Sequence, residues 1–255
     1  MKVAILAGGR GTRLAEETLH KSKGMVEIGD RPILWHILRY YAHFGFREFV
    51  IALGYQGDSI RDFFAGRGFQ HIGPNGSSSA NSEHQLLQND AWTIHLVETG
   101  LETQNGGRLK RLAPYLGKST FMLTWCDGLA DVDLHRLLAF HRGHHRLATL
   151  TAVHPPARFG RLSLDGDHVV DFKEKPIDPN EWVNGAFFVL EPQVLAYIGG
   201  DDTQWEREPL ERLAREGQLM AYRHRSFWQC MDTLKEAKAL NSLWAAETAP
   251  WKVWR

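Results

Sequence analysis

The sequence predicts an α/β fold built on a mainly parallel sheet, and three observations point there. Short apolar, β-branched runs alternate with helix-period segments through the first half, the pattern of successive βαβ units. The first run, "KVAIL", passes directly into the glycine-rich stretch "AGGRGTRL", where backbone N–H groups can approach an anion closely. A later apolar run, "TFMLTWCDG", ends in an acidic turn, which sets Asp127 at the carboxyl edge of a parallel sheet, where ligands of such folds bind.

Taken in order, "KVAIL" reads as a buried first strand. "PILWHILRYYAHFG" reads as a helix, with Pro32 tolerated in its first turn and Gly45 closing it. "EFVIALG" is a second strand, "GDSIRDFFAG" a short helix and "TIHLVETG" a third strand. Between the last two, residues 68–90 are rich in Gly, Ser and Asn and read as a long surface loop or flap. "RLKRLAPYLG" reads as a basic amphipathic helix and "LADVDLHRLLAFHRGHH" as a further one, its "HRGHHR" end solvated. Strands follow at "LATLTAVHPP", "GRLSLDGDHVVDFKEKP" and "WVNGAFFVLEP", with a hairpin turn at residues 165–167. Two helices, "WEREPLERLAREG" and "TLKEAKALNSLWAAE", flank "LMAYRHRSFWQCMDT" near the end.

The 255 residues suffice for a large core, and no linker forces a second domain. With 30 Lys+Arg against 30 Asp+Glu, no sequence-independent grip on nucleic acid or an anionic membrane is expected. Two cysteines make no disulfide framework, and no run reaches the roughly 20 apolar residues of a membrane span. A cytoplasmic protein with small-molecule partners is the expectation.

Gly9, Arg10 and Gly11 supply the G-x-G of a dinucleotide fingerprint, but Leu14 stands where its third glycine belongs, and there is no P-loop G-x-x-x-x-G-K-[ST]. Two readings remain: a nucleoside-triphosphate loop with Arg13 adding charge-assisted bonds, or a glycine turn with two solvated arginines. Lys23 and Lys175, taken alone, read first as solvated charges. Asp127 can be a turn residue, and Asp232 a helix N-cap. Phe187 and Phe188 read as core.

"LAGGRGTRL" followed by "KSKGMVEIGDRPILWHI" resembles the signature of the sugar-1-phosphate nucleotidyltransferases. "AEET" stands between these two, and "GGRLKR", "DGLADVD", "PPARFG", "EKP", "NGAFFVL", "WEREPL", "FWQCMDT" and "APWKVW" follow in order, most similar to the branch of cytidylyltransferases acting on glucose-1-phosphate. The resemblance implies a Rossmann-like nucleotide-diphospho-sugar transferase fold over residues 1–255. Residues 1–135 would then mainly bind nucleotide, and 136–255 form a β-rich acceptor-binding portion and C-terminal helices. It implies Mg²⁺-dependent transfer of CMP from CTP to a sugar-1-phosphate, in a homo-oligomer serving polysaccharide or deoxysugar synthesis. Arg13 and Lys23 would act at the reaction centre. Leu6, Ala7, Gly8, Gly9, Gly11, Thr12, Arg13, Gly107 and Arg108 would hold the nucleotide, and Asp127 and Asp232 the metal. Lys175, Glu174, Asn184, Gly185 and Trp228 would receive the acceptor.

Four positions depart from that branch. Ser22 and Gly24 replace the two prolines of its K-P-K-P loop, which predicts a looser loop with Lys23 ordering on substrate. Cys126 replaces a glycine and Cys230 a proline, each near a metal aspartate. Strand alternation turns Cys126 away from Asp127 while Cys230 and Asp232 share a face, so two small buried thiols are expected rather than a redox pair. The departures leave the acceptor open. The rival readings are transfer with another nucleotide or another phosphorylated acceptor, and an inactive nucleotide sensor or partner-binding protein.

Overall fold

The computed structural model describes residues 1–65, 67–72, 83–155, 159–175, 178 and 180–254. The opening strand β1 (Lys2–Leu6) is followed by a one-turn helix α1 (Ala15–Thr18), the short strands β2 (Glu27–Ile28) and β3 (Arg31–Pro32), and α2 (Ile33–His43). Then come β4 (Glu48–Leu53), α3 (Gly57–Ala65), β5 (Gln70–His71), β6 (His84–Gln88) and β7 (Thr93–Glu98). Helices α4 (Asn105–Arg111) and α5 (Ala113–Leu116) lead into β8 (Phe121–Trp125), β9 (Gly128–Ala130), α6 (Leu134–His144) and β10 (Ala148–Val153). The chain finishes through the hairpin β11 (Arg161–Asp165) and β12 (His168–Lys173), then β13 (Val183–Leu190), α7 (Glu208–Arg215), β14 (Leu219–Arg223), β15 (Trp228–Cys230) and α8 (Leu234–Ala245).

Nine strands form one sheet in the order β14-β10-β13-β8-β1-β4-β7-β6-β5. β1, β4, β7 and β8 run parallel at its centre, and only β13 and β6 oppose the other seven. The α/β class and mainly parallel sheet are as the sequence predicts. Alternation along β1 builds two cores at once. Val3 and Ile5 join Ile33, Leu34 and Ile37 of α2 on one face, while Ala4 and Leu6 join Leu109, Leu112 and Leu116 on the other. Phe187 and Phe188 are both core.

Four local readings are corrected. Within the stretch read as a loop, residues 84–88 form a strand between β7 and β5 that buries Gln85 and Leu87; a buried glutamine and a half-buried Leu86 on the opposite face hid its period of two. Residues 73–82 of the expected flap lie outside the described residues, as do 156–158 of "PPARFG". The basic helix starts earlier and divides at Leu112, because Pro114 opens a second short helix. Leu129 and Ala130, read as the start of a helix, pair within β9 with β15. His141 of "HRGHHR" is buried, hydrogen-bonded to Thr149 Oγ1 at 2.8 Å and Glu191 Oε1 at 3.1 Å, rather than solvated.

The hairpin β11–β12 stands apart as its own two-stranded sheet, with Leu162, Leu164, Val169, Val170 and Phe172 all more than half exposed. His36 of α2 is fully buried among tryptophans of the C-terminal segment. Its Nε2–H donates to Ile28 O at 2.9 Å, which leaves Nδ1 to accept from Trp251 Nε1–H at 3.3 Å. The terminal "APWKVW" is thereby tied to the helix after the lysine loop.

Burial holds His36 neutral and lowers its pKa from 6.5 to about 4. Burial also lowers His84, His95, His141 and His144. The unfolded chain takes up the His36 proton near its ordinary value and the folded chain only near 4, so stability is full above pH 6.5 and falls as the pH drops. Urea unfolding should lose stability from pH 6.5 towards 4 with a His36 contribution approaching about 1.4 kcal/mol per pH unit, and His36→Phe should flatten that slope. A slope unchanged by His36→Phe contradicts this.

Candidate active site

The glycine loop is fastened to the sheet before it opens to solvent. Ala7 N–H extends the β1–β4 pairing to Ala52 O at 3.1 Å, and Gly8 O accepts from Tyr55 N–H at 3.0 Å. Gly8 is required by close approach. A side-chain carbon there would stand 2.3 Å from Arg108 Nη1 and 2.9 Å from Leu53 O. The Arg108 guanidinium is buried beneath the loop, and Nη1 donates to Leu53 O, Thr99 Oγ1 and Gly100 O at 2.7–3.0 Å. Nη2 reaches Leu101 O at 3.2 Å. Burial pulls this arginine below its ordinary pKa, so its charge is kept by carbonyl oxygens rather than by a paired carboxylate.

The lysine loop is a tight turn at residues 23–25. Ser22 is fully buried, its Oγ–H donating to Ala7 O at 3.1 Å and its N–H to Ser59 Oγ at 3.0 Å. The two loops are thus joined directly. Lys23 Nζ lies 2.6 Å from Asp127 Oδ2 and 2.6 Å from Asp232 Oδ1, and Arg13 Nη1 lies 2.9 Å from Asp232 Oδ2. Burial opposes the Lys23 ammonium, but the charges and hydrogen bonds of Asp127 and Asp232 outweigh it and hold its pKa above the ordinary lysine value. Burial likewise works to raise the Asp232 carboxyl, yet Lys23 and Arg13 keep it below the ordinary range.

The aspartates meet because β9 and β15 pair. Asp127 follows β8 and precedes β9, Asp232 follows β15, and Met231 N–H donates to Asp127 O at 2.8 Å. These groups sit in one cleft of about 430 Å³, walled by the glycine loop and residues 101–105. Lys23 is 11% exposed whereas Arg13 is 71% exposed, leaving the rest of the Arg13 fork free to face an anion in the cleft.

The family model for nucleotidyl transferases matches residues 2–233. The chain belongs to this family. It is 46% identical to a glucose-1-phosphate cytidylyltransferase of Salmonella typhi, and 38% identical to a probable one of Bacillus subtilis, in each case over the whole of both chains. Among solved structures it is similar in fold to HddC from Yersinia pseudotuberculosis, at 20% identity and TM-score 0.69 over 95% of this chain and 99% of that one. A UDP-glucose pyrophosphorylase complexed with UDP-glucose matches at 15% identity and TM-score 0.69, over 96% and 98%.

In this nucleotidyltransferase the cleft gathers Leu6, Gly8, Gly9, Gly11, Thr12, Arg13, Lys23, Arg108, Asp127 and Asp232 of the predicted residues. Ala7 is buried behind the loop, and Gly107 packs against the backbone of Asp201, away from the cleft wall. Asn184, Gly185 and Trp228 form a separate group: Trp228 Nε1–H donates to Gly185 O at 2.8 Å, and Asn184 Oδ1 accepts from Ala186 N–H at 2.9 Å. Glu174 and Lys175 pair with each other at 2.8 Å beside the hairpin, both more than half exposed.

Sequence reasoning missed the far wall of the cleft, Leu101, Gln104 and Asn105, and the Arg10–Glu102 pair beside it. It also missed Ser22 as a tie. The expected loose Lys23 loop is corrected by that tie and by the two carboxylates. The helix N-cap is Thr233, in a capping box with Glu236, rather than Asp232. Both cysteines are free thiols, Cys126 buried and Cys230 half-buried with Sγ 3.6 Å from Asp232 Oδ2. Burial pushes both up to about 12.

Cys126 explains Gly24. A side-chain carbon on Gly24 would stand 3.3 Å from Cys126 Cβ, so the thiol residue occupies space beside the lysine loop. Gly24→Ala should therefore destabilise the fold and lower turnover, and Cys126→Gly in the same chain should recover much of both. Denaturant unfolding of the two single variants and the double one should show coupling of about 0.5–3 kcal/mol. Strict additivity contradicts the contact's role.

Proposed function

We propose that this enzyme transfers CMP from CTP to a sugar-1-phosphate, with glucose-1-phosphate the favoured acceptor, releasing pyrophosphate and a CDP-sugar. The convergence of Arg13, Lys23, Asp127 and Asp232 beside the glycine loop carries the reaction class. The full-length similarity to enzymes named glucose-1-phosphate cytidylyltransferase supports the choice of base and acceptor.

In this reading a phosphate oxygen of the acceptor attacks the α-phosphorus, forming one P–O bond as the bond to pyrophosphate breaks. The protein's task is alignment and charge neutralisation between two polyanions. Backbone N–H groups at Gly8, Gly9, Gly11 and Thr12 cradle the triphosphate. Arg13 engages two phosphate oxygens through its planar fork, and the compact Lys23 ammonium faces the concentrated charge at the reacting phosphate. Lys175 and Glu174, with Asn184, Gly185 and Trp228, take the acceptor. Residues 1–135 would serve mainly the nucleotide and 136–255 the acceptor, within a single domain.

Asp127 and Asp232 fit a hard divalent cation. Their oxygens already converge on one cationic nitrogen, and an all-oxygen donor pair completed by substrate phosphates suits Mg²⁺. Bound there, the ion would offset negative charge on the phosphates. No helix among the described residues is long and apolar enough to cross a membrane, and the proposed setting is the cytoplasm.

Pyrophosphate release with Mg²⁺, each of five nucleoside triphosphates and a panel of phosphorylated acceptors tests the reading. Release with CTP and glucose-1-phosphate is expected. Turnover only with another triphosphate or acceptor would move the substrate, and none with any pair would favour the inactive sensor. Asp127→Asn should reduce turnover at least about 10²-fold while remaining folded; near-normal turnover removes Asp127 from the centre.

We further propose a homo-oligomer that covers the exposed apolar hairpin β11–β12. Light scattering should give a mass that is a multiple of 29.0 kDa, and Leu164→Ser with Phe172→Ser should reduce it to one chain. A wild-type monomer contradicts this.

A further inference from the structure

The cleft has two chemically different ends. At one, Lys23, Arg13, Asp127 and Asp232 gather charges that suit phosphate and a dication. At the other, Gly8 rests over Arg108 and residues 101–105 form the far wall. The reading of the cleft as a nucleoside-triphosphate site, on which this inference rests, puts the phosphates at the first end and therefore the base at the second.

An ion pair joins the two walls at the second end. Arg10 of the glycine loop donates through Nη2 to Glu102 Oε1 of the far wall at 2.5 Å, and both side chains line the cleft. Arg10 is steadied by Tyr55 as well: its guanidinium carbon lies 5.7 Å from the Tyr55 ring centre, and Tyr55 N–H donates to Gly8 O. Glu102 follows Leu101, whose carbonyl accepts from Arg108 Nη2 at 3.2 Å. The carboxylate is thus carried on a fastened backbone and held by a fastened arginine.

What this end can read follows from which of its polar groups are uncommitted. Asn105 is spent, because Nδ2 donates to Glu206 Oε2 and Oδ1 accepts from Gly106 and Trp205 N–H at 2.8 Å. Arg108 is spent on four oxygens. Thr103 and Gln104 carry groups that both donate and accept, so each can satisfy an amino or a keto substituent. An ionised carboxylate only accepts. Arg10 engages Glu102 Oε1, and Oε2 has no hydrogen-bond partner among the described residues.

Cytosine presents its N4 amino group, a donor, at the ring position where uracil and thymine present the O4 carbonyl, an acceptor. Against Glu102 the first makes a charge-assisted hydrogen bond, and the second sets lone pairs against a carboxylate. We propose that Glu102 selects cytosine over uracil and thymine, with Arg10 as its positioning residue. Because Arg10 offsets its charge, Glu102 discriminates at the base without repelling the triphosphate.

Calorimetric titration with CTP and with UTP, in Mg²⁺ and without acceptor, tests this on the wild type and on Glu102→Gln, Arg10→Met and Arg10→Lys. The wild type should bind CTP at least about 10-fold tighter than UTP. Glu102 is exposed, so Glu102→Gln preserves the fold, and its amide can turn a donor towards O4. The gap should close to within about 3-fold, chiefly through tighter UTP binding. A residue that only shaped the wall would weaken both nucleotides alike. Arg10→Met should narrow the gap and Arg10→Lys restore it. An unchanged CTP:UTP ratio in Glu102→Gln, or a wild type that binds the two equally, overturns the inference. Arg10→Met weakening both nucleotides at a constant ratio overturns the part assigned to Arg10. Pyrophosphate release reads the reaction separately. Release from CTP with an unchanged ratio in Glu102→Gln keeps the reaction and overturns the selection, whereas selection through Glu102 without release supports the selection and removes the reaction.

Discussion

The ammonium of Lys23 lies between two carboxylates that the chain supplies from opposite ends, and the architecture around the cleft serves that convergence. Two aspartates facing one another without a cation repel, by roughly 4 kcal/mol at 4 Å and an effective dielectric near 20. Lys23 removes this repulsion and is itself kept charged despite burial. The arrangement is stable without substrate, yet its charges match what a triphosphate and a dication would present. In the proposed reaction the lysine exchanges carboxylate partners for phosphate, a swap of like interactions that need not disturb the fold.

Three ties hold the geometry. The β9–β15 ribbon fixes the aspartates relative to one another, and the Met231–Asp127 backbone bond closes it. Ser22 fastens the lysine loop to the carbonyl of Ala7. Arg108 ties the ends of β4 and β7 beneath Gly8, so the glycine loop rests on a guanidinium. Each tie joins segments distant in sequence, which is why the cleft walls are well defined while Arg13, at the rim, remains mostly exposed.

Much of this was legible beforehand. The alternation of "KVAIL", "EFVIAL" and "TFMLTW" with helical segments announces the parallel centre, because each strand is buried on both faces and reads as a continuous apolar run. Asp127 was placed by the same logic, and motif resemblance supplied Lys23 and Asp232 as its companions. Strand β6 was hidden because glutamine shares its buried face with leucine while Leu86 lies on the other, so it lacks the apolar alternation that marks a half-buried strand. Ser22 was misjudged, and the structural part played by Arg108 missed, for a different reason. Their partners are mostly backbone carbonyls, which leave no trace in residue identity, so a serine read as loosening is a fastener and an arginine expected to hold the nucleotide is also a foundation of the cleft it lines. The compensation between Gly24 and Cys126 likewise appears only once the two segments are seen in contact.

The measurement that bears most directly on this account is the Mn²⁺ affinity of the nucleotide-free protein, read by electron paramagnetic resonance, for the wild type and Lys23→Met. If the ammonium stands where the dication would, the two compete for the same carboxylates. Removing the charge should tighten Mn²⁺ binding at least 10-fold, and Asp127→Asn in the same chain should abolish the gain. Equal affinity in wild type and Lys23→Met would show that the carboxylates do not form a common cation site.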